Sequence, residues 1–176
     1  MTPRRQPARG FSLLEVVIAV GIFAGAVAVI LALLSPLTRQ AAASADLMTA
    51  LRLPDAIRLE LQRLAAAGGF DNLAGQTRRM TAPLPDTLLL AAARDATRIS
   101  SLAYLPPAAA DQIAEGEQFY LIEAWTFDAA PLAFDPAGAV LALHVRVSWP
   151  YHVPGAALPT PPAGREQVTF NVALDR

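Results

Sequence analysis

The chain has 176 residues, a formal net charge of −1, 54% hydrophobic residues and no cysteine. The near-neutral charge offers no basic surface for nucleic acid, and the lack of cysteine excludes structural disulfides, thiolate catalysis and Cys-ligated zinc. The length suits one membrane anchor plus one small domain with a single core, and 15 Pro and 10 Gly predict many loops in the second half.

Residues 1–10 carry Arg4, Arg5 and Arg9 and no acid. From Phe11 to Leu34, Glu15 is the only charged residue, and Val16 to Leu34 has no polar side chain. As a helix that last stretch spans roughly 28 Å, against a hydrocarbon core of about 30 Å. The positive flank predicts a cytoplasmic N-terminus, with the C-terminal part outside the inner membrane. Gly21 and Gly25 form a small-xxx-small pair that lets helices approach closely. Three readings fit this composition. One is a secretory signal peptide, with an Ala-x-Ala site at Ala41–Ala43. The second is a plain single-span anchor, and the third is a leader removed just ahead of the apolar helix. Glu15 bears on all three. A carboxylate at bilayer depth costs about 2.5–3.5 kcal/mol on insertion scales. It interrupts a signal-peptide core, has no purpose in a plain anchor, and calls for a cationic partner.

The run Arg9-Gly10-Phe11-Ser12-Leu13-Leu14-Glu15, continued as GFSLLEVVIAVGIFA, resembles the processing and methylation motif of type IV pilins and type II secretion pseudopilins. The resemblance covers Gly10 to about Leu34. It implies cleavage by a prepilin peptidase between Gly10 and Phe11, and N-methylation of Phe11. It also implies an assembly role for Glu15, which would meet the N-terminal ammonium of a neighbouring subunit. Ser12 stands where Thr is common, and Pro36 lies slightly later than the proline that often breaks the family's helix. Implied partners are other pilin or pseudopilin subunits, the prepilin peptidase, the inner membrane and the assembly platform, with no nucleic acid. Implied localisation is the bacterial inner membrane, single pass, with a periplasmic C-terminal domain, and then a periplasmic or surface filament.

Ser35 to Ala67 is predicted helical. Leu47, Leu51, Ile57, Leu61 and Leu64 keep 3–4 spacing, with a kink or brief break near Pro36 and Pro54. Two separate helices with a turn at Leu53-Pro54 are the competing reading. Gly68-Gly69 is a stop signal. Asp71-Asn72 and Gly75 read as loop. Thr87 to Ala93 is a short strand or buried helix, and Leu102 to Leu105 a further short strand. Glu115 and Glu117 flank Gly116 in a turn ahead of a strand.

Three alternating runs follow. In Gln118 to Phe127, Phe119, Leu121, Trp125 and Phe127 share one face, with Glu123 intruding among them. In Val140 to Trp149, Leu141, Leu143, Val145, Val147 and Trp149 face one way and His144, Arg146 and Ser148 the other. Val168, Phe170, Val172 and Leu174 form the third set. This predicts antiparallel sheet with one face on a core and one toward solvent. Pro150 to Gly164 is a Pro-rich loop that cannot join a central strand.

No catalytic motif is present. His144 and His152 read as surface imidazoles without a third metal ligand, and Trp125 and Trp149 as core residues. Asp128 and Asp135 are too few for a calcium site and read as a solvated loop. No cofactor and no metal site are expected, and the chain is not expected to be an enzyme.

The expected fold is α+β, with a long N-terminal helix, transmembrane in its first half, packed on a C-terminal antiparallel sheet. The expected organisation is a leader over 1–10, a transmembrane and assembly helix over 11–37, an amphipathic continuation over 38–69, and a periplasmic β-rich domain over 70–176. The resemblance implies a structural subunit of a type II secretion pseudopilus or type IV pilus. The glutamate disfavours the outermost tip, and the missing disulfide disfavours a major pilin, so a minor pilin or pseudopilin is expected. The alternative is a singly membrane-anchored periplasmic enzyme or ligand-binding domain.

Overall fold

The computed structural model describes residues 12–77, 88–102, 112–127, 131–156 and 158–176. The order of elements is α1 (Leu13–Ala50), α2 (Leu53–Gly68), α3 (Phe70–Gln76), then β1 (Leu88–Ala92), β2 (Ile99–Ser101), β3 (Tyr120–Thr126), β4 (Val140–Trp149) and β5 (Glu166–Asp175). The architecture is α+β, as predicted. The chain divides into two compact units, Met1–Ala45 and Asp46–Arg176.

In the first unit, α1 continues through Pro36. Its large apolar side chains are exposed, from Leu13 at 85% through Phe23 at 70% to Leu37 at 59%. Among the described residues, this helix is the one long and apolar enough to cross a membrane.

In the second unit, the helix breaks at Leu51-Arg52, and α2 starts with Pro54 in its first turn. Proline suits that position, because its missing N–H has no helical partner to lose. The buried stripe keeps its 3–4 spacing across that break, through Ala50, Leu53, Ile57, Leu61 and Leu64, whereas Leu47 and Leu51, predicted on the stripe, lie off it and are exposed. Gly69 ends α2 at φ +88°, ψ 140°, a conformation open to glycine. Asp71-Asn72 and Gly75, predicted as loop, instead lie within α3. Leu73 and Ala74 of that helix are buried, so tertiary docking overrides the turn-like composition of Asp71, Asn72 and Gly75.

The sheet is antiparallel throughout, in the order β2-β1-β3-β4-β5. Of the predicted segment Thr87 to Ala93, Leu88–Ala92 is a strand rather than a helix, and Thr87 lies outside the described residues. The next strand is Ile99–Ser101, earlier than the predicted Leu102 to Leu105, of which 103–105 lie outside the described residues. α2 covers one face of the sheet and packs on β5 and β2. Between them lie Leu90 of β1, Tyr120 and Ile122 of β3, Leu141 to Trp149 on alternate positions of β4, and Val172 and Leu174 of β5. Each fully buried aliphatic side chain contributes roughly 1.5–3 kcal/mol.

The phase of β3 is opposite to the predicted one. Tyr120, Ile122 and Ala124 face the helix, whereas Leu121, Glu123 and Trp125 sit across from Ser148, Arg146 and His144 on the outer face. The reason is burial on both sides. Leu121, Glu123 and Ser148 are all buried although they point away from the helix. The connection from β4 to β5 brings Tyr151, Pro159, Pro162 and Arg165 beside them. At this end the outer face is therefore covered, not solvated.

Candidate functional site

Gly10 and Phe11, the predicted processing and methylation residues, lie outside the described residues. Glu15 lies in the first turn of α1 and is exposed. Ser12 immediately precedes that helix, and the two side chains serve each other's backbone. The Glu15 N–H donates to Ser12 Oγ at 3.2 Å, and the Ser12 N–H reaches Glu15 Oε2 at 3.4 Å. This is a Ser-x-x-Glu capping box with one long arm, and it satisfies helix N–H groups that would otherwise lack partners. The carboxylate also lies at the positive end of the helix dipole. The Ser12-Leu13-Leu14-Glu15 spacing carries the sequence signal for this cap.

Among the described residues the second unit holds several ion pairs, and two of them join residues distant in sequence at two points each. In one, Arg94 grips Asp46 at two points, Nε–Oδ1 3.0 Å and Nη2–Oδ2 2.9 Å, and lies over the Phe119 ring. Hydrogen bonding to Asp46 holds the Arg94 pKa above its ordinary value. Beside it the Tyr120 hydroxyl donates to the Asp46 carbonyl oxygen at 2.9 Å. Burial, aided by the Asp46 charge, pushes the Tyr120 pKa up to about 12. In the other, Arg146 meets Glu123 on the outer face of the sheet and lies over the Trp125 ring. Its hydrogen bonds to the Glu123 carboxylate hold the Arg146 pKa above its ordinary value.

The predicted polar candidates are dispersed. His144 is half-buried on the outer face, its Nδ1 2.8 Å from Asn171 Oδ1 and its ring against Trp125. His152, predicted at the surface, is buried against the Tyr151 ring. Its backbone N–H donates to Gln118, which draws it in beside β3. Trp149 is in the core, whereas Trp125 is on the outer face. Asp135 caps its own turn through the Ala137 N–H at 2.9 Å, and Asp128 lies outside the described residues. Glu115–Glu117 forms the predicted turn, a short 3-10 segment. Among the described residues no three His, Asp or Glu converge on a common point.

Comparison with known proteins found no matching family model, no matching curated protein and no matching solved structure.

Proposed function

We propose that this chain is a structural subunit, a minor pilin or pseudopilin, of a type II secretion pseudopilus or type IV pilus. The prepilin peptidase cuts after Gly10 and methylates the new amine of Phe11. The processed chain waits in the inner membrane with its N-terminus cytoplasmic and the Asp46–Arg176 unit periplasmic. It then enters a filament through α1, and the chain itself performs no catalysis.

The observation that carries this reading is the placement of Glu15. It is the sole acid of the exposed apolar stretch up to Leu34, in the first turn of α1, five residues after Gly10. In its own chain the carboxylate meets only Ser12 among the described residues. Among the described residues it therefore has no cationic partner, and a neighbouring ammonium in a low-dielectric environment balances its charge far better than a hydroxyl or an amide does. The apolar surface of α1 is what a helix needs to exchange lipid contacts for helix contacts, with Gly21 and Gly25 open to close approach. The outer edge of β5 offers a second means of joining neighbours, by strand addition.

Mass spectrometry of the mature N-terminus tests the reading. A start at N-methyl-Phe11 supports it. A start at Met1 or Thr2 replaces it with the simple anchor, and a start near Ser44 with a secreted domain. Gly10→Val is expected to leave full-length precursor in the membrane.

A further inference from the structure

The cleft between the β4–β5 connection and the outer sheet face has a volume of about 470 Å³. That is within the size range of small-ligand sites, roughly 300–1,000 Å³. Its walls are apolar: Leu89 and Leu121 on the sheet, Tyr151, Pro159 and Pro162 on the connection. The wall is pre-shaped. The Thr160 N–H donates to the Tyr151 carbonyl at 2.8 Å, and the Tyr151 N–H donates to Phe119 at 2.7 Å, so the connection is tied to itself and to the sheet.

The polar lining consists of Ser148, the Glu123–Arg146 pair, Arg165 and Gln167, the last opposite Ser148 across β4 and β5. Ser148 is only 5% exposed, lines the cleft, and its hydroxyl has no hydrogen-bond partner among the described residues. A buried hydroxyl in that state is costly unless something entering the cleft completes it. Glu123 and Arg146 neutralise one another at two points. Arg165 also lines the cleft. Its Nε donates to the Thr160 carbonyl at 2.7 Å and its guanidinium lies over Tyr151, but no described carboxylate pairs with it. The cleft therefore carries one excess positive charge.

We propose that this cleft binds a single carboxylate borne on an apolar body. Arg165 supplies the charge, Ser148 donates to a carboxylate oxygen, and the Leu and Pro walls take the apolar part. A doubly charged anion such as phosphate is disfavoured, because Arg146 is already committed to Glu123. The same chemistry has two sources, a free short-chain acid and the C-terminus of a polypeptide ending in an apolar residue.

The test is calorimetric titration of the full chain in phosphatidylcholine nanodiscs, with empty nanodiscs as blank. The probes are hexanoate and hexanamide, and N-acetyl-Ala-Ala-Leu with a free carboxylate or a C-terminal amide. Each carboxylate is expected to bind at one site per chain, at least tenfold tighter than its amide. Tighter binding of hexanoate identifies a free acid as the ligand, and tighter binding of the peptide identifies a polypeptide terminus. Arg165→Gln is expected to weaken binding at least tenfold. Ser148→Ala is expected to weaken it at least threefold without lowering the unfolding temperature, because the hydroxyl has no internal partner to lose. Absence of saturable binding, equal affinity for acid and amide, or unchanged affinity in Ser148→Ala overturns the proposal.

Discussion

Glu123 and Arg146 stand directly opposite each other on β3 and β4 and meet at two points, Nε–Oε2 2.7 Å and Nη2–Oε1 3.0 Å. The Glu123 side chain is 7% exposed and that of Arg146 30%. Such a pair stabilises little relative to a well-packed apolar replacement, but losing one partner strands the other in a poorly hydrated place. Glu123→Ala is expected to destabilise the Asp46–Arg176 unit by roughly 3 kcal/mol, whereas the double variant Glu123→Leu, Arg146→Met costs much less. Thermal unfolding followed by near-ultraviolet circular dichroism separates the two outcomes.

Glu15→Ala is expected to leave cleavage after Gly10 intact but to reduce incorporation into filaments severalfold. Ser12→Ala removes one arm of the cap and costs helix α1 about 1 kcal/mol at its N-terminus. It is therefore expected to lower incorporation far less than Glu15→Ala does. Quantifying the processed chain in membrane and filament fractions distinguishes a charge requirement from a capping requirement.

Tyr120 gives the second unit an alkaline limit. Its pKa of about 12 in the folded chain lies above the ordinary value of 10. The folded state thus favours the protonated phenol. The stability this contributes is complete below about pH 10 and is lost as pH rises through about 12. Tyr120→Phe is expected to cost about 1 kcal/mol at neutral pH, from the lost hydrogen bond to Asp46, and to flatten the stability profile between those limits. Denaturant midpoints at pH 7, 10 and 11 check both effects.

Gly69→Ala tests the hinge between α2 and α3. A methyl group there would meet no atom within 4 Å, so space is not the obstacle. The obstacle is φ +88° with ψ 140°, which costs a side-chain-bearing residue roughly 1–3 kcal/mol. A melting temperature lowered to that extent is expected, with β-sheet content unchanged.

What the sequence made legible follows from how many neighbours each element answers to. The alternation from Leu141 to Trp149 was readable because β4 has one face consistently apolar, and its structure follows that pattern. Leu121 and Trp125 misled, since apolar residues on a strand covered from both sides do not reveal which side is the core. Leu47 and Leu51 lie off the stripe because a repeat of 3.6 residues carries the face of Ile57, Leu61 and Leu64 back to Leu53 and Ala50, and the small Ala50 was a weaker signal than the neighbouring leucines. In the candidate site, Glu15 stood out because a charge inside an apolar run is conspicuous. The cleft beside Ser148 did not, because it exists only once Tyr151, Pro159, Pro162 and Arg165 come to lie beside β3 and β4, a long-range event with no local signature.

Strand β5 pairs with β4 alone, and among the described residues its other side has no strand. Across Glu166–Asp175 it contains neither proline nor lysine, and its acids sit only at the two ends. The middle of that margin therefore lacks the devices that ordinarily discourage intermolecular stacking. Concentrated preparations of the isolated chain will consequently tend to precipitate as sheet-rich aggregates, and a single lysine in place of Thr169 offers a direct remedy.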